Sequence, residues 1–147
     1  MKFILSSLFL LFMLSVSLLA RGTEKIRITS PQAAMRTYKQ NYKDMVLAEC
    51  VASAYRDEPR ATQDAGSSVS ALRDWTYYDM EKAPGAINRL VENYLARDYH
   101  NPLVEPEVSG VRFELLKCFD LYHSEALEKQ ARQLVINPER TYRQDNP

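Results

Sequence analysis

Apolar residues recur at helical spacing along most of this chain, most clearly over residues 111–124. Val111, Leu115, Cys118, Phe119 and Tyr122 recur at i, i+4, i+7, i+8 and i+11, which puts all five on one face of a helix. Glu114, Lys117 and Asp120 fall on other sides, while Leu116 and Leu121 widen the apolar side. The pattern predicts a helix buried on more than one flank, around which the rest of the chain is organised. Ser124 stands where it can cap a following helix whose face is Leu127, Ala131, Leu134 and Val135.

Three more helices are predicted upstream. The first covers residues 39–57, with Val46, Leu47, Cys50, Val51 and Ala54 on one face and Tyr42 a turn earlier. It stops at Glu58-Pro59, because the residue before a proline is pushed out of the helical region. A weaker helix lies over residues 61–76. Ala61, Ala65, Val69 and Leu72 share a side, and Gly66, Ser67, Ser68 and Ser70 lower the propensity, as expected if this helix packs tightly on another. Trp75, Tyr77 and Tyr78 follow in a turn and read as a lid over the core rather than a ligand platform. The third helix opens on Pro84, which suits a first helical position, carries Ile87, Leu90, Val91, Tyr94 and Leu95 as one stripe, and ends near Asp98.

Residues 99–110 hold Pro102 and Pro106, which exclude an ordinary helix, and end on Gly110. An irregular stretch of this length in a small domain is either functional or a solvated connector. Beyond Val135, Pro138 and a polar composition predict a tail, ordered only if Tyr142 docks. No repeat and no convincing strand is visible. The expected class is all-α, a compact bundle of about five helices over residues 39–136, with a polar extended leader at 21–38 and a tail at 137–147.

The first twenty residues change the picture. After Met1-Lys2 the chain runs without a charge to Ala20, and polarity returns at Arg21. A basic start, an apolar run and a small residue before a polar stretch mark a secretory signal peptide. The run is also long enough to span a membrane marginally, so an uncleaved anchor is the alternative. Its loss removes one lysine and leaves a net charge near −1. A chain so nearly neutral exerts no general pull on nucleic acid or acidic membrane.

Two cysteines remain, Cys50 and Cys118, both on apolar helical faces. An even count in an exported chain favours a disulfide between them, with two buried unpaired thiols as the alternative. Thiol chemistry is poorly served. Cys118 and His123 are five apart on one helix, which turns them about 140° away from each other. His100 could reach Cys118 only by tertiary contact. The two histidines and two cysteines lack the paired spacing of a zinc site. His100 reads as a loop residue and His123 as a polar residue at a helix junction. There is no Gly-rich phosphate loop, nucleophile elbow, H-E-x-x-H or C-x-x-C-H motif. The expectation is no enzyme, no catalytic residue, no metal and no cofactor. After the leader the chain holds nine tyrosines against two phenylalanines. Tyrosine is common on recognition surfaces and equally at home in half-buried helical positions.

Two segments go beyond a generic helical pattern: Tyr42-Lys-Asp-Met-Val-Leu-Ala-Glu-Cys50-Val-Ala-Ser-Ala-Tyr55-Arg-Asp57, and Lys117-Cys118-Phe-Asp120-Leu-Tyr122-His123-Ser124-Glu-Ala-Leu127. In this order, behind a signal peptide, they resemble the type VI secretion amidase immunity proteins, periplasmic inhibitors of peptidoglycan-cleaving amidase effectors. The resemblance covers residues 42–135. It implies an all-α protein that forms a homodimer, binds a toxin amidase and obstructs its Cys/His cleft with a protruding loop. It also implies that Cys50, Tyr55, Asp57, Cys118 and Asp120 are scaffold residues. It assigns no inhibitory residue, and these are expected in the 99–110 loop on physical grounds. Two prolines limit the entropy lost on binding. Glu105 and Glu107 can accept hydrogen bonds from a protonated catalytic histidine, and Val108, Ser109 and Gly110 are small enough to enter beside a nucleophile. The competing reading is a periplasmic helical adaptor without a toxin partner; an exported thiol hydrolase is remote. A cleaved leader predicts that protein purified from the periplasm lacks residues 1–20, and an intact mass retaining them would indicate the anchor instead.

Overall fold

The computed structural model describes residues 31–99 and 110–147. By its contacts the chain divides at Gln32, and Ala33–Pro147 form one unit. Residues 1–30, with the expected signal peptide and most of the expected leader, lie outside the described residues; the described end of that leader holds a 3-10 turn, Gln32–Met35. Six α-helices follow: α1 (Tyr38–Ala54), α2 (Pro59–Asp74), α3 (Ala83–Leu95), α4 (Glu114–Tyr122), α5 (Glu125–Leu134) and a short α6 (Tyr142–Asp145). Five of them are substantial, and the fold is all-α. Among the described residues the β contacts are two isolated antiparallel bridges, Thr37 to Thr141 and Tyr78 to Val135.

The helix at the centre is α1, not α4 as the apolar pattern had suggested. It packs on α2, α3, α4 and α5, whereas α4 packs mainly on α1 and α3. Its buried positions are Tyr38, Asn41, Tyr42, Met45, Val46 and Cys50. Thr37 starts it with a capping box: its hydroxyl accepts from the Gln40 backbone N–H, while the Gln40 side chain accepts from the Thr37 backbone N–H. α1 stops at Ala54, earlier than expected, and Pro59 does not end it but opens α2.

Asn41 is fully buried in this apolar setting, and its geometry explains why it is tolerated. Its amide donates to the carbonyls of Ala33 at 2.8 Å and Trp75 at 3.0 Å, and its oxygen accepts from Arg36 Nε at 3.1 Å. One side chain thereby ties the 3-10 turn and the turn after α2 to α1.

In α2, Ala65 and Val69 are buried and Leu72 is half-buried. The expected reason for its small residues does not hold. A Cβ on Gly66 would meet nothing within 4 Å. Ser67, Ser68 and Ser70 are exposed and turn their hydroxyls back to carbonyls four residues earlier.

The aromatic turn is a lid, and the tail completes it. Tyr77 packs on Tyr38, Tyr78 on Tyr42, and Tyr142 on both Trp75 and Tyr77. With Tyr142 docked the tail is ordered. Thr141 caps α6, and the Tyr38 hydroxyl donates to Asp145 at 2.7 Å. Ser124 caps α5 as expected, accepting from the Leu127 N–H.

Several phenols are held in the neutral form. Burial, then the Asp145 carboxylate, raises Tyr38 well above the ordinary phenol range. Burial raises Tyr42 against the effect of Gln130. Burial, then Asp44, raises Tyr122. The folded chain binds these protons more tightly than the unfolded chain does. Their contribution is therefore complete below the free tyrosine value, about 10, and is lost as pH rises through the higher folded values. Denaturant unfolding is expected to give a clearly lower stability at about pH 11 than at about pH 8.5; equal stabilities would show that these phenols do not govern the alkaline limb.

Candidate partner-binding surface

The chain emerging at Gly110 reaches α4 through two left-handed residues. Gly110 has φ +78°, where a side chain is strained, and Phe113 has φ 53° and forms the N-cap of α4. These turns delay the helix to Glu114, three residues later than the apolar pattern predicts. Val111 consequently lies outside it.

The orientation of α4 also differs from the expectation. Its buried residues are Lys117, Cys118 and Leu121. At 100° per residue this face is turned by about 90° from the predicted stripe of Val111, Leu115, Cys118, Phe119 and Tyr122. Leu115, Leu116 and Phe119 point outward, with 42%, 46% and 45% of their surface exposed, and Val111 joins them at 37%. Two attachments set the rotation. Cys118 is bridged to Cys50 of α1, with the Cα atoms 5.7 Å apart. One residue earlier, Lys117 is only 2% exposed, and its ammonium donates to the Leu95 carbonyl at the end of α3 at 3.1 Å and to Glu114 at 3.4 Å. With these two positions turned inward, Leu115 and Phe119 cannot be buried.

The outward residues line a shallow groove of about 440 Å³ together with Tyr55, Arg112, Phe113 and Glu114. Its wall at Tyr55 is the C-cap of α1. At its rim Arg112 pairs with Glu114 at 3.2 Å. Half of the large apolar side chains that the described part of the fold leaves exposed lie here. An apolar face so concentrated is the mark of a surface that meets another protein.

The chain on the α3 side is held to the same helix. The Tyr99 hydroxyl donates to Asp120 at 2.5 Å, and this bond is the main cause of the raised Tyr99 phenol. Arg97 lies over the Tyr94 ring, 3.5 Å from its centroid, and is raised chiefly by its hydrogen bond to Tyr99.

Of the expected inhibitory residues, Glu105, Glu107, Val108 and Ser109 lie outside the described residues, as does His100; Gly110 is exposed. Of the expected scaffold residues, Cys50 and Cys118 are joined, Tyr55 lines the groove, Asp57 is exposed in the turn after α1, and Asp120 anchors Tyr99. His123 ends α4 with its ring against Tyr122. Among the described residues no cluster of His, Cys, Asp or Glu could hold a metal ion, and no helix is long and apolar enough to cross a membrane. Sequence reasoning missed the outward role of Leu115, Leu116 and Phe119. The signal was present, since apolar residues on both sides of Cys118 exceed what one buried face can take. Nothing in the sequence marked Lys117 as buried.

The described fold is a helical bundle with an uncovered apolar helix face, and comparison with known proteins gives its family. Residues 40–131 match the family described as Tai4, type VI secretion system (T6SS) amidase immunity protein. This chain belongs to that family of immunity proteins. A solved structure described as "New Type VI-secreted toxins and self-resistance proteins in Serratia marcescens" superposes with a TM-score of 0.71 at 31% identity, over 80% of this chain and 93% of that one. No curated protein sequence matches.

The bridge closes a long loop, 68 residues apart in sequence. Replacing Cys50 and Cys118 by alanine is expected to lower stability by about 4 kcal/mol, read from the denaturant midpoint. A loss below about 1 kcal/mol would mean that packing alone holds α4 on α1.

Proposed function

We propose that this chain is an exported, periplasmic immunity protein, its leader cleaved after Ala20, that binds a peptidoglycan amidase effector and occludes its Cys/His cleft. It acts as a homodimer and does no catalysis of its own. The observation that carries the reading is the apolar face of α4, left in solvent in a chain of the amidase immunity family. Leaving Leu115, Leu116 and Phe119 with 42%, 46% and 45% of their surface exposed forgoes somewhat under half of the roughly 1.5–3 kcal/mol that full burial of a large side chain gives. A binding partner recovers it. In this reading Glu105, Glu107, Val108, Ser109 and Gly110 enter the cleft, and the α4 face supports the effector around it.

The test is a pull-down with the product of the adjacent reading frame, followed by a cell-wall digestion assay. The double variant Leu115→Glu, Phe119→Glu is expected to melt within a few degrees of the parent, because both side chains are already exposed. It is also expected to lose at least tenfold in inhibition, about 1.4 kcal/mol. Deleting Glu105–Ser109 and closing the gap with glycines should have a comparable effect. If the double variant becomes monomeric by light scattering yet inhibits fully, the α4 face belongs to the homodimer instead. If the deletion inhibits like the parent, the loop is not the plug.

A further inference from the structure

Three polar contacts tie the two chain ends that flank residues 100–109 to α4, one of them buried. Lys117 is the centre. Its ammonium, almost without solvent, reaches across to the Leu95 carbonyl, the end of α3, and back to Glu114 at the start of α4. It also lies 5.9 Å from the centre of the Tyr99 ring. One turn further along α4, Asp120 accepts the Tyr99 hydroxyl. On the other side, Glu114 holds Arg112. Leu95 and Tyr99 lie on the chain entering 100–109, and Arg112 on the chain leaving it. Both sides are thus fixed to α4 between Glu114 and Asp120.

This arrangement is expensive if its purpose is stability alone. A buried ammonium loses its hydration, and an apolar side chain of similar length commonly holds such a position as well or better. What a charge with several fixed acceptors supplies is a defined geometry. Here the geometry concerns the very chain segments that border the outward face of α4. Resting on the effector-binding reading above, we propose that Lys117, Tyr99 and Asp120 form a clasp of positioning residues. The clasp sets the chain on either side of 100–109 against the α4 face, so that both present to the effector in one fixed arrangement.

Lys117→Met keeps the stem and removes the charge, while Tyr99→Phe and Asp120→Ala each remove the second contact at a more exposed site. The clasp predicts that all three variants keep their thermal midpoint within about 5 °C of the parent. Amide hydrogen exchange should accelerate at least tenfold at residues 95–99 and 110–113 and stay unchanged in α1. Titrated against the amidase from the adjacent reading frame, each variant should bind at least tenfold more weakly. Unchanged exchange at those residues overturns the clasp whether or not the amidase binds. So does accelerated exchange with undiminished binding, and so does a large fall in midpoint with no local change in exchange, which would make Lys117 an ordinary stability element. If the parent itself does not bind the amidase, the effector reading fails, and the exchange measurement still decides whether the clasp exists.

Discussion

The structure depends on the burial of one helix. α1 has neighbours on most of its circumference, and α2, α3, α4 and α5 each cover part of it. Surrounding a helix so fully leaves little room for polar groups, yet α1 carries Asn41, Tyr38 and Tyr42 at full burial. Each is satisfied by a group outside α1: Asn41 by the carbonyls of Ala33 and Trp75, Tyr38 by Asp145, Tyr42 by Gln130. These bonds reach the 3-10 turn, the aromatic turn, α5 and the tail. The polar atoms of α1 therefore recruit the irregular parts of the chain, while its apolar atoms recruit the helices.

The disulfide belongs to the same constraint. It fastens α4 to α1 at Cys118 and so fixes the rotation of a helix only nine residues long. A helix this short is marginal in isolation and takes its orientation from tertiary contacts. Once Cys118 is turned to α1 and Lys117 to the end of α3, Leu121 follows them inward and Leu115, Leu116 and Phe119 face solvent. The apolar face is thus a consequence of how α4 is attached. It continues from Val111, just after the described chain resumes at Gly110, into Leu115, Leu116 and Phe119.

Surface charges support this frame without determining it. Glu128 is drawn below the ordinary carboxylate range against its own partial burial by Lys43, Lys39 and Arg132, which links α5 to α1. Arg140 and Asp145 close the tail on itself, and together with Tyr38 they hold the Asp145 carboxyl low. Partly exposed pairs of this kind contribute modestly and weaken with salt. Their value lies in register, since they hold the tail in the place where Tyr142 completes the aromatic lid.

The sequence by itself determined the helical class, most helix positions and the Ser124 cap, and favoured the aromatic lid and the pairing of the two cysteines that the structure then showed. Each rests on local or compositional physics: a period near 3.6, capping side chains, aromatic clustering, an even cysteine count. It did not determine which helix lies at the centre. α1 and α4 both carry apolar residues on more than one side, and only packing decided that α1 is enclosed while α4 keeps a face in solvent. Nor could it show that Lys117 is buried, because a lysine in an apolar stretch looks solvated until a carbonyl from another helix, here that of Leu95, is brought within reach. The candidate surface was legible only as an excess of apolar residues around Cys118. Which of them turned outward was decided by two contacts distant in sequence, the bridge to Cys50 and the bond to Leu95, and neither leaves a periodic signal in the chain.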